Sequence, residues 1–167
     1  MASFEELLKK DGKLVYRTRG VSMLPMLHEN RDLVIIRAPV SRLKRYDVAL
    51  YRREGAYVLH RVIGVEEGYY RILGDNTYAV ELVPDSEVIG VLTSFVRKGK
   101  TYQVTDAKYR AYVRFWQGIF RSGRRLSSAL RPLHVRRSGW ESAGNDKNRN
   151  DKNDEDRIVK RKDVTDQ

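Results

Sequence analysis

The sequence contains no cysteine. That excludes a disulfide framework, a thiolate metal site and a cysteine nucleophile, although it leaves the redox compartment open. No stretch approaches the roughly 18 consecutive apolar residues that mark a transmembrane helix. The first residues, "MASFEELLKKDGK", have no apolar core and carry acidic groups early, so they do not read as a signal peptide. These absences predict a cytoplasmic protein that meets a membrane only peripherally. No metal-ligand spacing or cofactor fingerprint is found, and neither a metal nor a cofactor is expected.

What is present is a chain of 167 residues, 41% hydrophobic, enough for one domain with a core. The net charge of +11 is unevenly spread, and there is no internal repeat. Residues 1–104 are dense in short runs such as "LVYRT", "DLVIIRA", "DVALYRR", "AYVLHRVIGVEE", "GYYRILG", "EVIGVLTSFVR" and "TYQV". They are rich in Val, Ile, Leu and Tyr and are separated by turn formers, which predicts strands. Gly68 and Gly99 mark hairpin turns, and "FEELLKK" predicts a short helix. The pattern implies antiparallel strands in a small barrel or sandwich.

Residues 105–137 change character. Tyr109, Tyr112, Val113, Trp116, Ile119, Phe120, Leu126 and Leu130 recur at helical spacing, with arginines on the other faces. Asp106 can cap the start and Pro132 limits the end. Acidic residues are almost absent here. This basic helix is expected to pack on the β domain through its aromatic face. The other reading is contact of 108–131 with an anionic membrane or a membrane protein. Charge alone is the only argument for nucleic acid, since no motif supports it. Residues 138–167 are polar and mixed in charge, which predicts a disordered tail.

Three segments of the β region carry chemistry together: "RGVSMLPML" with Ser22, "VLHRVIGV" with His60 and "ILGDNT" with Asp75. A serine hydroxyl is a weak nucleophile until a base takes its proton, and a carboxylate fixes the tautomer of that base. Histidine suits the task because the ordinary imidazole value, about 6.5, leaves it mostly neutral at pH 7. The plain alternatives are a loop hydroxyl, a half-buried strand histidine and a turn-forming aspartate. His28, His134 and Lys44 lack a matching context and read as surface residues. Arg61 is expected to pair with a carboxylate or to pack its stem on the sheet.

The local sequences resemble the boxes of type I signal peptidases. "GVSMLPML" is similar to the serine box, "RYDVALY" to the next box, and "HRVIGV" to the box of the general base. "GDNT" is similar to the Gly-Asp-Asn box and "VPDSEVIGVL" to the closing strand. Bacterial members usually carry lysine where this chain has His60; the endoplasmic-reticulum and archaeal type carries histidine. The resemblance spans residues 20–92. It implies a bent antiparallel β fold shared with the LexA-type self-cleaving repressors, and serine endopeptidase activity through an acyl-enzyme. It assigns Ser22 as nucleophile, His60 as general base and Asp75 as orienting acid. The Ser22 backbone N–H becomes one oxyanion donor.

The resemblance further implies an extended peptide or protein substrate, cut after small residues. Val21, Pro25 and Leu59 are candidate substrate-binding residues. Gly20, Met23 and Glu81 are candidates for supporting the oxyanion hole or the base. Three departures stand out. The membrane span usual in the family is missing, and Gly20 replaces a common serine. Glu81 occupies the place, six residues beyond Asp75, where the histidine-type enzymes have a second aspartate. A non-catalytic peptide-binding module of the same fold is one alternative. A self-processing LexA-like regulator is another, disfavoured because only 21 residues precede Ser22, too few for a DNA-binding domain.

Overall fold

The structure is a computed structural model that describes residues 3–120 and 136–137. Helix α1 (Phe4–Asp11) opens it. Ser3 and Glu6 form a reciprocal capping box at its start, and Gly12 ends it in the left-handed region. Eight antiparallel strands follow: β1 (Leu14–Arg17), β2 (Leu33–Arg37), β3 (Val48–Arg53), β4 (Ala56–Glu66), β5 (Tyr69–Leu73), β6 (Glu81–Pro84), β7 (Val88–Arg97) and β8 (Lys100–Gln103). A two-residue strand, β9 (Arg136–Arg137), lies parallel to β6.

The sheet order is β1-β2-β7-β3-β4-β5-β6-β9, with β8 pairing β7 outside that path. The fold is therefore mainly β, as the sequence predicts, but the sheet is open. The expected barrel-like closure is not formed, because β1 and β9 end the path without pairing to each other. The hairpins predicted at Gly68 and Gly99 join β4 to β5 and β7 to β8. At the second, Lys98 and Gly99 both have positive φ, 49° and 74°, which matches the twist of a two-residue hairpin.

Two apolar clusters form on opposite faces of β3 and β4, because successive strand residues alternate. One includes Val48, Leu50 and Leu59 with Leu8, Met23, Met26 and Leu27. The other includes Ala49, Tyr51, Val62, Ile72 and Val83. The register fixes the assignment: Leu50 opposes Leu59, and Ala49 opposes His60. His60 therefore shares the face of Tyr51, and Arg61 faces the other way.

The predicted basic helix is seen as α2 (Ala107–Phe115), continued by one π-helical turn, Trp116–Phe120. Tyr109 and Val113 are buried against the first cluster, so this part packs on the β domain. Asp106 sits at the N-cap position, but its carboxylate accepts from the Gln103 N–H rather than capping the helix. The rest of the predicted helix, including Leu126, Leu130, Pro132 and His134, and the predicted tail at 138–167 lie outside the described residues. Among the described residues no helix is long and apolar enough to cross a membrane.

Candidate active site

Ser22 lies in the turn-rich loop between β1 and β2 and is half-buried. Apolar anchors just after the serine hold that loop: Met23, Met26 and Leu27 are buried in the first cluster. Thus Met23 supports the loop from below as a core residue. The Leu24–Pro25 peptide is cis, and Pro25 is half-buried. At the far end of the loop Asp32, fully buried, accepts from the His28 N–H at 2.9 Å and pairs with Arg31.

The "GDNT" turn grips the same loop. The Asn76 N–H donates to the Ser22 carbonyl at 2.7 Å, and the Asn76 side-chain amide donates to the Val21 carbonyl at 3.2 Å. A Cβ placed on Gly74 would lie 2.8 Å from the Ser22 carbonyl oxygen, closer than packing allows. Glycine is required there by close approach.

The turn follows directly on β5, whose last residue Leu73 opposes Arg61, the neighbour of His60 in β4. The Ser22 loop is thus held at the end of β5, while its buried anchors Met23 and Met26 belong to the cluster on the face opposite His60. No hydrogen bond joins Ser22 to His60; catalytic contacts often tighten only when substrate binds. The Ser22 N–H makes no hydrogen bond to any described residue, as an oxyanion donor requires.

Gly20 does not fill the second donor position. It has φ 79°, and its N–H is taken by the Glu29 carboxylate at 2.9 Å. Val21 is 55% exposed beside the serine, where a substrate side chain can reach it. Leu59 is buried in the first cluster, on the face opposite His60. The expectation that it binds substrate is corrected by strand alternation.

The acid expected to orient His60 is also corrected. Asp75 does point back at β4, but at Arg61. Arg61 Nε and Nη2 donate to the two Asp75 oxygens, both at 2.7 Å. Asp75 is 4% exposed and Arg61 1%, so this is a buried ion pair. Arg61 Nη1 donates to the Tyr46 carbonyl and the Tyr109 hydroxyl, and Nη2 also reaches Met26 Sδ. All five guanidinium donors are engaged, as a buried arginine needs. Burial works against the charge, but the Asp75 carboxylate outweighs it and raises the guanidinium above its ordinary value. Gln117 donates to Asp75 Oδ1 at 2.9 Å, and the Trp116 indole donates to the Asp75 carbonyl at 3.3 Å. The end of α2 thereby clamps the turn that holds Ser22.

The carboxylate beside His60 is Glu81. His60 Nδ1 lies 3.5 Å from Glu81 Oε1 and 3.1 Å from the Tyr51 hydroxyl. Tyr51 donates to Glu81 Oε2 at 2.8 Å, and Arg53 donates to Oε1 at 2.8 Å. Burial alone would raise the Glu81 carboxyl. The His60 imidazole 3.5 Å away, the Tyr51 hydrogen bond and the Arg53 charge outweigh it and hold the carboxyl down at about 2. Glu81 is thus a carboxylate at neutral pH. Burial, and secondarily the Glu81 charge, raise the Tyr51 hydroxyl well above its ordinary value, so it keeps its proton.

Parity explains the exchange of acids. Glu81 opposes Ile72, which opposes Val62, and all three share the His60 face; Asp75 follows Arg61 to the other. Sequence reasoning weighed Glu81 only as a support and missed Tyr51 and Arg53. The signal was available: in "VALYRR" Tyr51 and Arg53 lie two and four residues from Ala49, the residue opposite His60. Among the described residues no cluster of His, Asp and Glu could hold a metal ion. No protein-family model and no curated protein matches the chain.

Proposed function

We propose that the protein is a serine endopeptidase of the type I signal peptidase kind, in its histidine-base form. The observation that supports this reading is the cluster of His60, Tyr51 and an ionised Glu81 on one face of the sheet. Ser22 Oγ attacks a peptide carbonyl while His60 Nε2 takes its proton. The Ser22 N–H stabilises the oxyanion. The proton then passes to the leaving amine, the acyl-enzyme forms, and water, activated by the same nitrogen, releases the acid. Glu81 replaces Asp75 as the acid that orients and stabilises the imidazolium.

The substrate is an extended precursor, leader or signal-like peptide with small residues before the cut, bound as an added strand. Arg110, Arg114 and Phe115 of α2 are all exposed, Phe115 to 57%. That combination favours contact with an anionic membrane surface near the substrate.

The deciding experiment compares the wild type with Ser22→Ala on a peptide library containing Ala-x-Ala sites. Cleavage by the wild type alone is expected. Equal cleavage by both overturns the hydrolase reading, and binding by both without cleavage identifies a peptide-binding module.

A further inference from the structure

We propose that Tyr51 is the positioning residue for His60: its hydroxyl accepts the Nδ1 proton and so leaves Nε2 free to act as the base. The inference rests on the peptidase reading for its purpose but on hydrogen-bond geometry for its content.

A hydroxyl has one proton to give and two lone pairs to receive. Tyr51 Oη is within bonding distance of two groups, Glu81 Oε2 at 2.8 Å and His60 Nδ1 at 3.1 Å. An ionised carboxylate can only accept, so the Tyr51 proton goes to Glu81. Toward His60 the same oxygen has only lone pairs left. Nδ1 must therefore be the donor. The direct alternative is poorer: Glu81 Oε1 is 3.5 Å from Nδ1, beyond good hydrogen-bond length, and it already receives Arg53 at 2.8 Å.

A neutral imidazole carries one proton. With it on Nδ1, Nε2 holds the lone pair. The opposite tautomer would present an N–H to the serine and leave Nδ1 facing an oxygen with no proton to offer. Three groups thus act in series: Arg53 holds Glu81, Glu81 holds the hydroxyl proton of Tyr51, and Tyr51 holds the Nδ1 proton of His60. When Nε2 takes the Ser22 proton, Nδ1–H still donates to Tyr51, and the new positive charge lies near the Glu81 carboxylate. No proton crosses to the tyrosine or the carboxylate at any step. The relay from base to acid therefore runs through a tyrosine fully buried on β3.

The test is Tyr51→Phe, which keeps the ring and removes only the hydroxyl. In 15N-labelled protein the ring-nitrogen shifts of His60 report the tautomer directly. The wild type should show the Nδ1–H form, and Tyr51→Phe a mixture. In the same variant kcat should fall about ten- to a hundredfold, the worth of one hydrogen bond to a charged group, with KM nearly unchanged. An Nε2–H tautomer in the wild type overturns the proposal even if the variant fails to fold. So does a variant that keeps both the Nδ1–H form and full kcat. If Ser22→Ala leaves cleavage intact, the peptidase reading falls, yet the nitrogen shifts still decide the role of Tyr51.

Discussion

Gly74 stands against Ser22 with no room for a side chain: a Cβ there would approach the serine carbonyl oxygen to 2.8 Å. Substituting Gly74→Ala must push the Ser22 loop away from the β5 end. Overpacking of this kind costs about 1–3 kcal/mol. Cleavage should fall far more than stability, measured as kcat/KM beside the urea midpoint. Unchanged kcat/KM would show that the position of the loop does not matter to activity.

The two carboxylates expected near the base should separate cleanly. Glu81→Gln keeps the shape and removes the charge that stabilises the imidazolium, so kcat should fall by at least about a hundredfold while the chain stays folded. Asp75→Asn breaks a buried ion pair and leaves Arg61 charged and partly unpaired, a loss of about 3–5 kcal/mol in unfolding free energy. Chemical denaturation of both variants, with activity measured on the folded fraction, distinguishes them. A large stability loss in Glu81→Gln with unchanged kcat would reverse the assignment.

Acid stability should carry a signature of Glu81. Its carboxyl is held at about 2 in the fold, against an ordinary 4.5. A depressed value means that the folded state binds fewer protons than the unfolded one. The stabilisation is therefore complete above pH 4.5 and is lost as the pH falls from 4.5 toward 2. The stability–pH slope across that interval should be shallower in Glu81→Gln than in the wild type. Equal slopes would mean that the network does not hold the carboxylate.

Membrane contact by α2 predicts binding to vesicles containing anionic lipid, weakening as salt is raised. Replacing Arg110 and Arg114 together by glutamine should reduce it. No sedimentation with such vesicles at low salt would remove the idea.

The sequence by itself determined the strand and hairpin plan, the short first helix and the aromatic face of α2. These are local matters of β propensity, turn residues at Gly68 and Gly99, and helical spacing at Tyr109 and Val113. It also singled out the Ser22 loop and the Gly74–Thr77 turn, which the structure joins through the Asn76 N–H. Only the tertiary structure decided which carboxylate lies beside His60 and which pairs with Arg61. His60 and Arg61 are neighbours in sequence, but a strand sends neighbours to opposite faces, and each took the acid on its own side. Glu81 and Tyr51 reach the imidazole through cross-strand register, and Asp75 goes to Arg61 because a buried guanidinium needs a buried anion. The open sheet was likewise beyond local reading, since closure depends on whether the two ends of the strand order meet in space.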